Sequence, residues 1–131
     1  MADDFSGLFS SDTPSEALSA GQVLFHKGEP GNAFYVVKSG ELQILDGNHV
    51  FEVVGPGGLV GEMALVDGGP RSATVRATTT TEVIPVDERR FLFMVQETPF
   101  FAIRVMRLMT ARLRTMNERS TTMAAAPTAM F

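Results

Sequence analysis

A chain of 131 residues with 44% hydrophobic and 20% charged residues has the size and balance of one globular domain, too short for two substantial cores. No apolar run approaches the ~20 residues of a membrane-spanning helix, and the acidic start Met1-Ala2-Asp3-Asp4 lacks the basic and apolar regions of a secretory signal. With no cysteine, disulfide frameworks, iron–sulfur clusters and thiolate zinc sites are excluded, and the chain reads as cytoplasmic.

Residues 1–17 mix Phe5, Leu8 and Phe9 with Ser, Asp and Pro, which predicts a short helix or turn pinning an N-terminal arm onto the domain. From Gly21 the pattern changes. Gln22–His26 reads as a short strand, and Lys27–Asn32 is dense in turn residues. Ala33–Lys38 is aromatic and β-branched, and Glu41–Leu45 alternates polar and apolar. Asp46-Gly47-Asn48 is a hairpin signal leading into the strand His49–Val54, which Gly55-Pro56-Gly57-Gly58 breaks. Strand-like runs at Ala73–Thr78 and Glu82–Val86 flank a threonine-rich turn. About six or seven short strands, with turns roughly every eight to twelve residues, argue for a sandwich, barrel or roll rather than βαβ units.

The chain then turns helical. Asp87 is a suitable N-cap for Arg89–Gln96, and Thr98-Pro99 sets the start of a long helix from Phe100 to about Arg119. The apolar positions of that helix (Phe101, Ile103, Val105, Met106, Leu108, Met109, Leu113, Met116) are too widely spread for one partner surface. The expected organisation is an arm over 1–17, a β-roll over 18–87, two helices over 88–119 and a frayed tail over 120–131. The fold class is mainly β with flanking helices: a β-roll (double-stranded β-helix, jelly-roll-like) followed by two C-terminal helices.

Charge is unevenly spread. Residues 1–100 hold six Lys/Arg and fourteen Asp/Glu, a net of −8, whereas residues 101–131 hold five Arg and Glu118 alone, a net of +4. A solvated arginine-rich helix face accounts for this most simply, while an acidic partner surface or self-association through the helix also fits.

The chemistry concentrates between Gly55 and Ala77. Gly55, Gly57, Gly58 and Gly61 permit close backbone approach, and Glu62-Met63-Ala64-Leu65 suits one helical turn with free N–H groups. Arg71, expected to open a strand after the Gly68-Gly69-Pro70 turn, aims a fork of donors back over it. Glu62, acceptor-only when ionised, suits ribose hydroxyls rather than phosphate. On the residues alone, a phosphate cradle and a surface Arg71–Glu62 ion pair beside a glycine-rich loop remain equally open.

The segment Val60-Gly61-Glu62-Met63-Ala64-Leu65, a short loop, then Arg71-Ser72-Ala73-Thr74-Val75, resembles the phosphate-binding cassette of the cyclic nucleotide-binding domain family. That family includes catabolite activator proteins, kinase regulatory subunits and nucleotide-gated channels. Gly28-Glu29-Pro30-Gly31-Asn32-Ala33, four apolar residues and Gly40 are similar to a second signature of the family. The resemblance spans roughly residues 18–119, with Val60 standing where many relatives have Phe.

By this resemblance Arg71 pairs with the cyclic phosphate and Glu62, beside the Gly61 backbone, accepts from the ribose 2′-OH. The N–H groups of Ala64 and Ser72 complete the cradle, so the expected ligand site is Gly61, Glu62, Met63, Ala64, Arg71, Ser72 and Ala73. Val53 and Val54 fall where relatives wall the base, and Met116 and Asn117 fall where the last helix caps it, with Arg112, Arg114 or Arg119 as alternative caps. The Ser72 hydroxyl suits either phosphate or a guanine amino group, so the ligand implied is cAMP, with cGMP the alternative.

His26 and His49 stand apart on separate strands, which argues against the clustered ligands of a metal site, and no nucleophilic arrangement is visible. Neither a catalytic residue nor a cofactor is expected. The reading is a stand-alone cyclic nucleotide sensor that acts on a separate protein partner, or on a second copy, through its C-terminal helix. Nucleic acid is not expected as a partner. A fragment of a larger channel or kinase regulator, and a nucleotide-free scaffold or dimerisation module, are the alternatives.

Overall fold

Short alternating segments separated by glycine- and proline-rich turns form eight strands among the described residues of the computed structural model, residues 4–10 and 12–124. They are β1 (Glu16–Leu18), β2 (Val23–Phe25), β3 (Ala33–Ser39), β4 (Leu42–Asp46), β5 (His49–Val54), β6 (Leu59–Val60), β7 (Thr74–Ala77) and β8 (Thr81–Asp87). Two antiparallel sheets result, ordered β1-β8-β3-β6 and β2-β7-β4-β5. A short helix, α1 (Glu62–Asp67), bridges β6 and β7, and α2 (Glu88–Glu97) and α3 (Phe100–Ala124) follow β8. The architecture is the expected β-roll with C-terminal helices.

The run Ala33–Val37 is apolar throughout because β3 is buried on both faces. Val37 points into the roll with Leu18, Leu42, Ile44, Val54, Val75 and Val83. Phe34 and Val36 point the other way and join Ile84, Val86, Met94, Phe101 and Val105 under the helices. β8 divides its side chains likewise, with Val83 inward and Ile84 and Val86 outward. Pro85 is tolerated in this inner strand because β1 pairs with β8 only from Thr81 to Val83 and leaves the outer edge free beyond it.

The arm contains a 3₁₀ turn (Ser6–Leu8) and is pinned by Phe5, which is 1% exposed, donates its N–H to the Gly57 carbonyl at 2.7 Å and meets Phe101 edge-on at 5.8 Å. Full burial of a ring such as Phe5, Phe34 or Phe101 contributes about 1.5–3 kcal/mol relative to exposure, so the root of α3 is firmly held. The sheet begins earlier than the sequence suggests, since Glu16–Leu18 already pairs with β8. Asp87 caps α2 as expected, accepting the Arg90 N–H at 2.8 Å. Helix α3 runs past Arg119 to Ala124, because Ser, Thr, Met and Ala continue a helix without a proline or glycine stop. Of the expected tail, residues 125–131 lie outside the described residues. Among the described residues no helix is long and apolar enough to cross a membrane.

Candidate functional site

The two sequence signatures meet in space. Between β6 and α1, Gly61 adopts φ 86°, a left-handed conformation, and a Cβ there would lie 2.7 Å from Arg71 Nη1. Downstream, the Arg71 N–H donates to the Glu29 carbonyl and the Gly28 N–H donates to the Arg71 carbonyl, both at 2.8 Å. A β-bridge joins Pro30 to Pro70. The turn Gly28–Asn32 therefore clamps the main chain of Arg71. This corrects the expected strand start: the backbone of Arg71 is engaged by that turn, and β7 begins only at Thr74. A Cβ on Gly31 would overlap the Arg71 side chain, so the first signature also makes room for the guanidinium.

Arg71 is 4% exposed. Its Nη1 donates to the Gly61 carbonyl at 3.1 Å, its Cζ lies 4.0 Å from the centre of the Phe25 ring, and its buried Nε has no hydrogen-bond partner among the described residues. Burial lowers its pKa more than Tyr35, Glu29 and Glu62 raise it, but a guanidinium stays cationic in proteins. A buried cation with an unsatisfied donor is costly unless something else completes it.

Glu62, 3% exposed, does not pair with Arg71, which removes the surface ion pair considered above. Its partner comes from α3. Arg112 Nη1 donates to Glu62 Oε1 at 2.6 Å, while Arg112 Nε and Nη2 donate to Glu52 Oε1 and Oε2 of β5 at 2.9 and 3.1 Å. Burial pushes the Glu62 carboxyl above the usual glutamate range, outweighing the downward pull of Arg112. Burial alone would lower the Arg112 pKa, but Glu62 and Glu52 together hold it above the usual arginine range.

These groups line a cavity whose walls include all seven expected ligand residues, Gly61, Glu62, Met63, Ala64, Arg71, Ser72 and Ala73. The Ser72 hydroxyl lies 3.5 Å from the Met63 sulfur. Of the expected base contacts, Met116 lines the cavity, while Asn117, half-buried on α3, does not. Val53 and Val54 sit differently from expectation. Successive strand residues face opposite sides, so Val54 packs into the roll core and Val53 is 53% exposed, and neither lines the cavity. Phe25, Ile44, Val75 and Arg112 line it instead. Arg112 precedes Met116 by four residues, one helical turn on the same face, which is the signal that pairs them. The free space between these walls is about 30 Å³, far less than the ~300 Å³ or more of typical small-molecule sites.

The histidines remain apart: His49 stands edge-on to Phe51 and His26 lies beside Glu29. Among the described residues no cluster of potential ligands could hold a metal ion.

Residues 15–98 match the model of the cyclic nucleotide-binding domain. The chain belongs to that family. It is 34% identical over 99 residues to the cyclic AMP receptor protein of Thermus thermophilus, covering 72% of this chain and 46% of that protein. It is 36% identical over 88 residues to a cyclic nucleotide-gated potassium channel of Mesorhizobium japonicum, covering 67% of this chain and 24% of the channel. With the lysophospholipase NTE1 of Chaetomium globosum it shares 30% identity over 111 residues, 81% of this chain and 7% of that enzyme. The chain thus spans less than half the length of each of these relatives. Among solved structures, the Thermus thermophilus catabolite activator protein superposes with a TM-score of 0.73 at 29% identity, over 85% of this chain and 55% of that one. A cAMP-bound PfPKA-R fragment superposes with a TM-score of 0.74 at 25% identity, over 82% and 37%. The matched segment thus recurs within a receptor, a channel and an enzyme.

Proposed function

We propose that this domain is a cytoplasmic cyclic nucleotide sensor, not an enzyme, which binds cAMP in the roll and signals through α3 to a separate partner. The observation that carries the reading is Arg71: a buried guanidinium with a donor left unsatisfied, on one wall of a cavity that also holds the Glu62 carboxylate. Such a pair complements an anion joined to a hydroxyl. The cyclic phosphate accepts from Arg71 and from the N–H groups of Ala64 and Ser72, and the ribose 2′-OH donates to Glu62. The purine packs against Ile44, Val75 and Met116. The Ser72 hydroxyl, with only a weak sulfur contact, is available to phosphate. A relative named for cyclic AMP and a similar structure with cAMP bound support cAMP as the ligand.

The narrow cavity ties binding to α3, which supplies Arg112 and Met116 to its walls. A nucleotide does not fit about 30 Å³, so Arg112 and Met116 must move to admit it, and binding shifts the population of α3 positions by its differential contacts with them. Ile103, Met106 and Leu113 are exposed along α3 at three- and seven-residue spacing and offer a surface to a protein partner or to a second copy.

Isothermal titration with cAMP and, in parallel, cGMP tests the reading. Saturable 1:1 binding at micromolar or lower concentration is expected, tighter for cAMP. Tighter cGMP binding would reverse the ligand and keep the sensor. No heat and no thermal stabilisation with either nucleotide would leave a scaffold module. Spin labels at Asn48 and Thr115 read the helix: an unchanged distance on saturation would remove α3 from the mechanism.

A further inference from the structure

The surroundings of Arg71 contain an unusual substitution of roles. A buried arginine is ordinarily balanced by a carboxylate, as Arg112 is by Glu52 and Glu62. The Arg71 guanidinium makes one hydrogen bond, to a carbonyl, and its close contacts are with rings, while Glu29 and Glu62 act on it without a hydrogen bond. Arg71 Cζ lies over the Phe25 ring of β2, 4.0 Å from its centre, and the Tyr35 ring of β3, in the opposite sheet, lies 5.9 Å from Cζ. The two rings are tilted 32° at 6.2 Å and form one aromatic floor. Gly61 leaves room for this pair, since a Cβ there would stand 2.7 Å from Arg71 Nη1 and 3.3 Å from Phe25 Cε2 and Cζ.

A guanidinium has two kinds of surface, its faces and its rim of N–H donors. A carboxylate counter-ion occupies the rim, whereas a π system stabilises the cation through a face and leaves the rim to other acceptors. We infer that Phe25 is a positioning residue for the anion site: its ring holds the plane of Arg71 in place and takes over the role of a counter-ion that would compete with the ligand phosphate. The inference rests on the reading of Arg71 as the phosphate-binding group. It explains why a buried cation is kept without a carboxylate hydrogen-bonded to its rim, and why glycine at 61 suits ring and guanidinium together. Pre-setting one orientation also reduces the ordering penalty at the moment of binding.

The test replaces Phe25 with ring-fluorinated phenylalanines carrying one, three and five fluorines, which nearly keep the shape of the ring while weakening and then reversing the negative potential of its face. The dissociation constant of cAMP is expected to rise stepwise, by about 3- to 30-fold at five fluorines, with a fall in the thermal midpoint of the unliganded protein that disappears when the same series is made in an Arg71→Ala background. Unchanged cAMP affinity across the series overturns the inference. So does a fall in the thermal midpoint that is equally large in the Arg71→Ala background, because the ring is then packing and not a floor for charge. Arg71→Ala, measured alongside, separates the two levels of argument: full affinity in that variant refutes the phosphate assignment itself, whatever the fluorinated series shows.

Discussion

Arg71 and Arg112 are both buried guanidiniums lining one cavity, yet one gives a single hydrogen bond to a carbonyl and the other gives three to two carboxylates. Arg112 joins three elements, α3, α1 and β5, and closes its own charge balance. Arg71 is held by shape and ring contact, and its charge is left to be balanced from outside. On the proposed reading the same residue type serves structure in one place and ligand capture in the other, and the partners decide which. Stability should therefore follow Arg112 and affinity should follow Arg71.

The largest separation is expected from Arg71→Ala. Loss of a buried charge-assisted contact of this kind costs about 2–5 kcal/mol, so cAMP affinity should fall roughly 30- to 5,000-fold by titration. Its thermal midpoint should hold or rise, because a buried cation with an unsatisfied donor is removed. Arg112→Ala should behave in the opposite way. Breaking a buried pair and stranding its acids costs on the order of 3 kcal/mol, or roughly 10 °C in the thermal midpoint by calorimetry. Equal thermal losses in the two variants would erase the distinction.

Glu62→Gln sharpens the comparison through pH. It should weaken cAMP by about 5- to 30-fold, by loss of one charged hydrogen bond. Because burial raises the Glu62 pKa, its stabilising contribution is fully present below the reference value of 4.5 and is lost as pH rises through the higher native value. Binding runs the other way, since the ionised form accepts the ribose hydroxyl: wild-type affinity should decline on acidification, beginning above the usual glutamate range. Glu62→Gln should flatten that profile, and an acid decline that persists unaltered in the variant would assign it elsewhere. The smallest effect belongs to Glu52→Gln. Its side chain is 36% exposed, so screening leaves roughly 0.5–1 kcal/mol, about 2–4 °C. A larger loss would make β5, rather than α1, the principal anchor of Arg112.

Local chemistry made much of the fold legible. The Asp46-Gly47-Asn48 turn, the Asp87 cap and the Thr98-Pro99 helix start each depend on neighbours within a few residues. Both nucleotide signatures were readable too, because glycine, glutamate and arginine are demanded there by conformation and charge. What stayed hidden depends on distance along the chain. The three residues of β1 become a strand only by pairing with Thr81–Val83, more than sixty residues on. Arg112 is one of five arginines after residue 100 and is singled out only by Glu62 and Glu52, fifty and sixty residues earlier. The Val53–Val54 pair shows a different limit: a motif marks a neighbourhood, and strand parity then sends adjacent side chains to opposite sides.

The double-faced strand β3 has a mechanical consequence. Phe101 and Val105 root α3 on the outer face of that strand, while the farther part of the helix is tied to the roll through Arg112. At 1.5 Å per residue, Arg112 lies about 10 Å beyond Val105 and Ala124 about 28 Å beyond it. A tilt about that root which displaces Arg112 by about 2 Å sweeps the tip through about 5–6 Å. On the proposed mechanism the helix would be a lever with a short input arm at the nucleotide and a long output arm, and a ligand the size of a sugar phosphate would produce a displacement as wide as a helical turn.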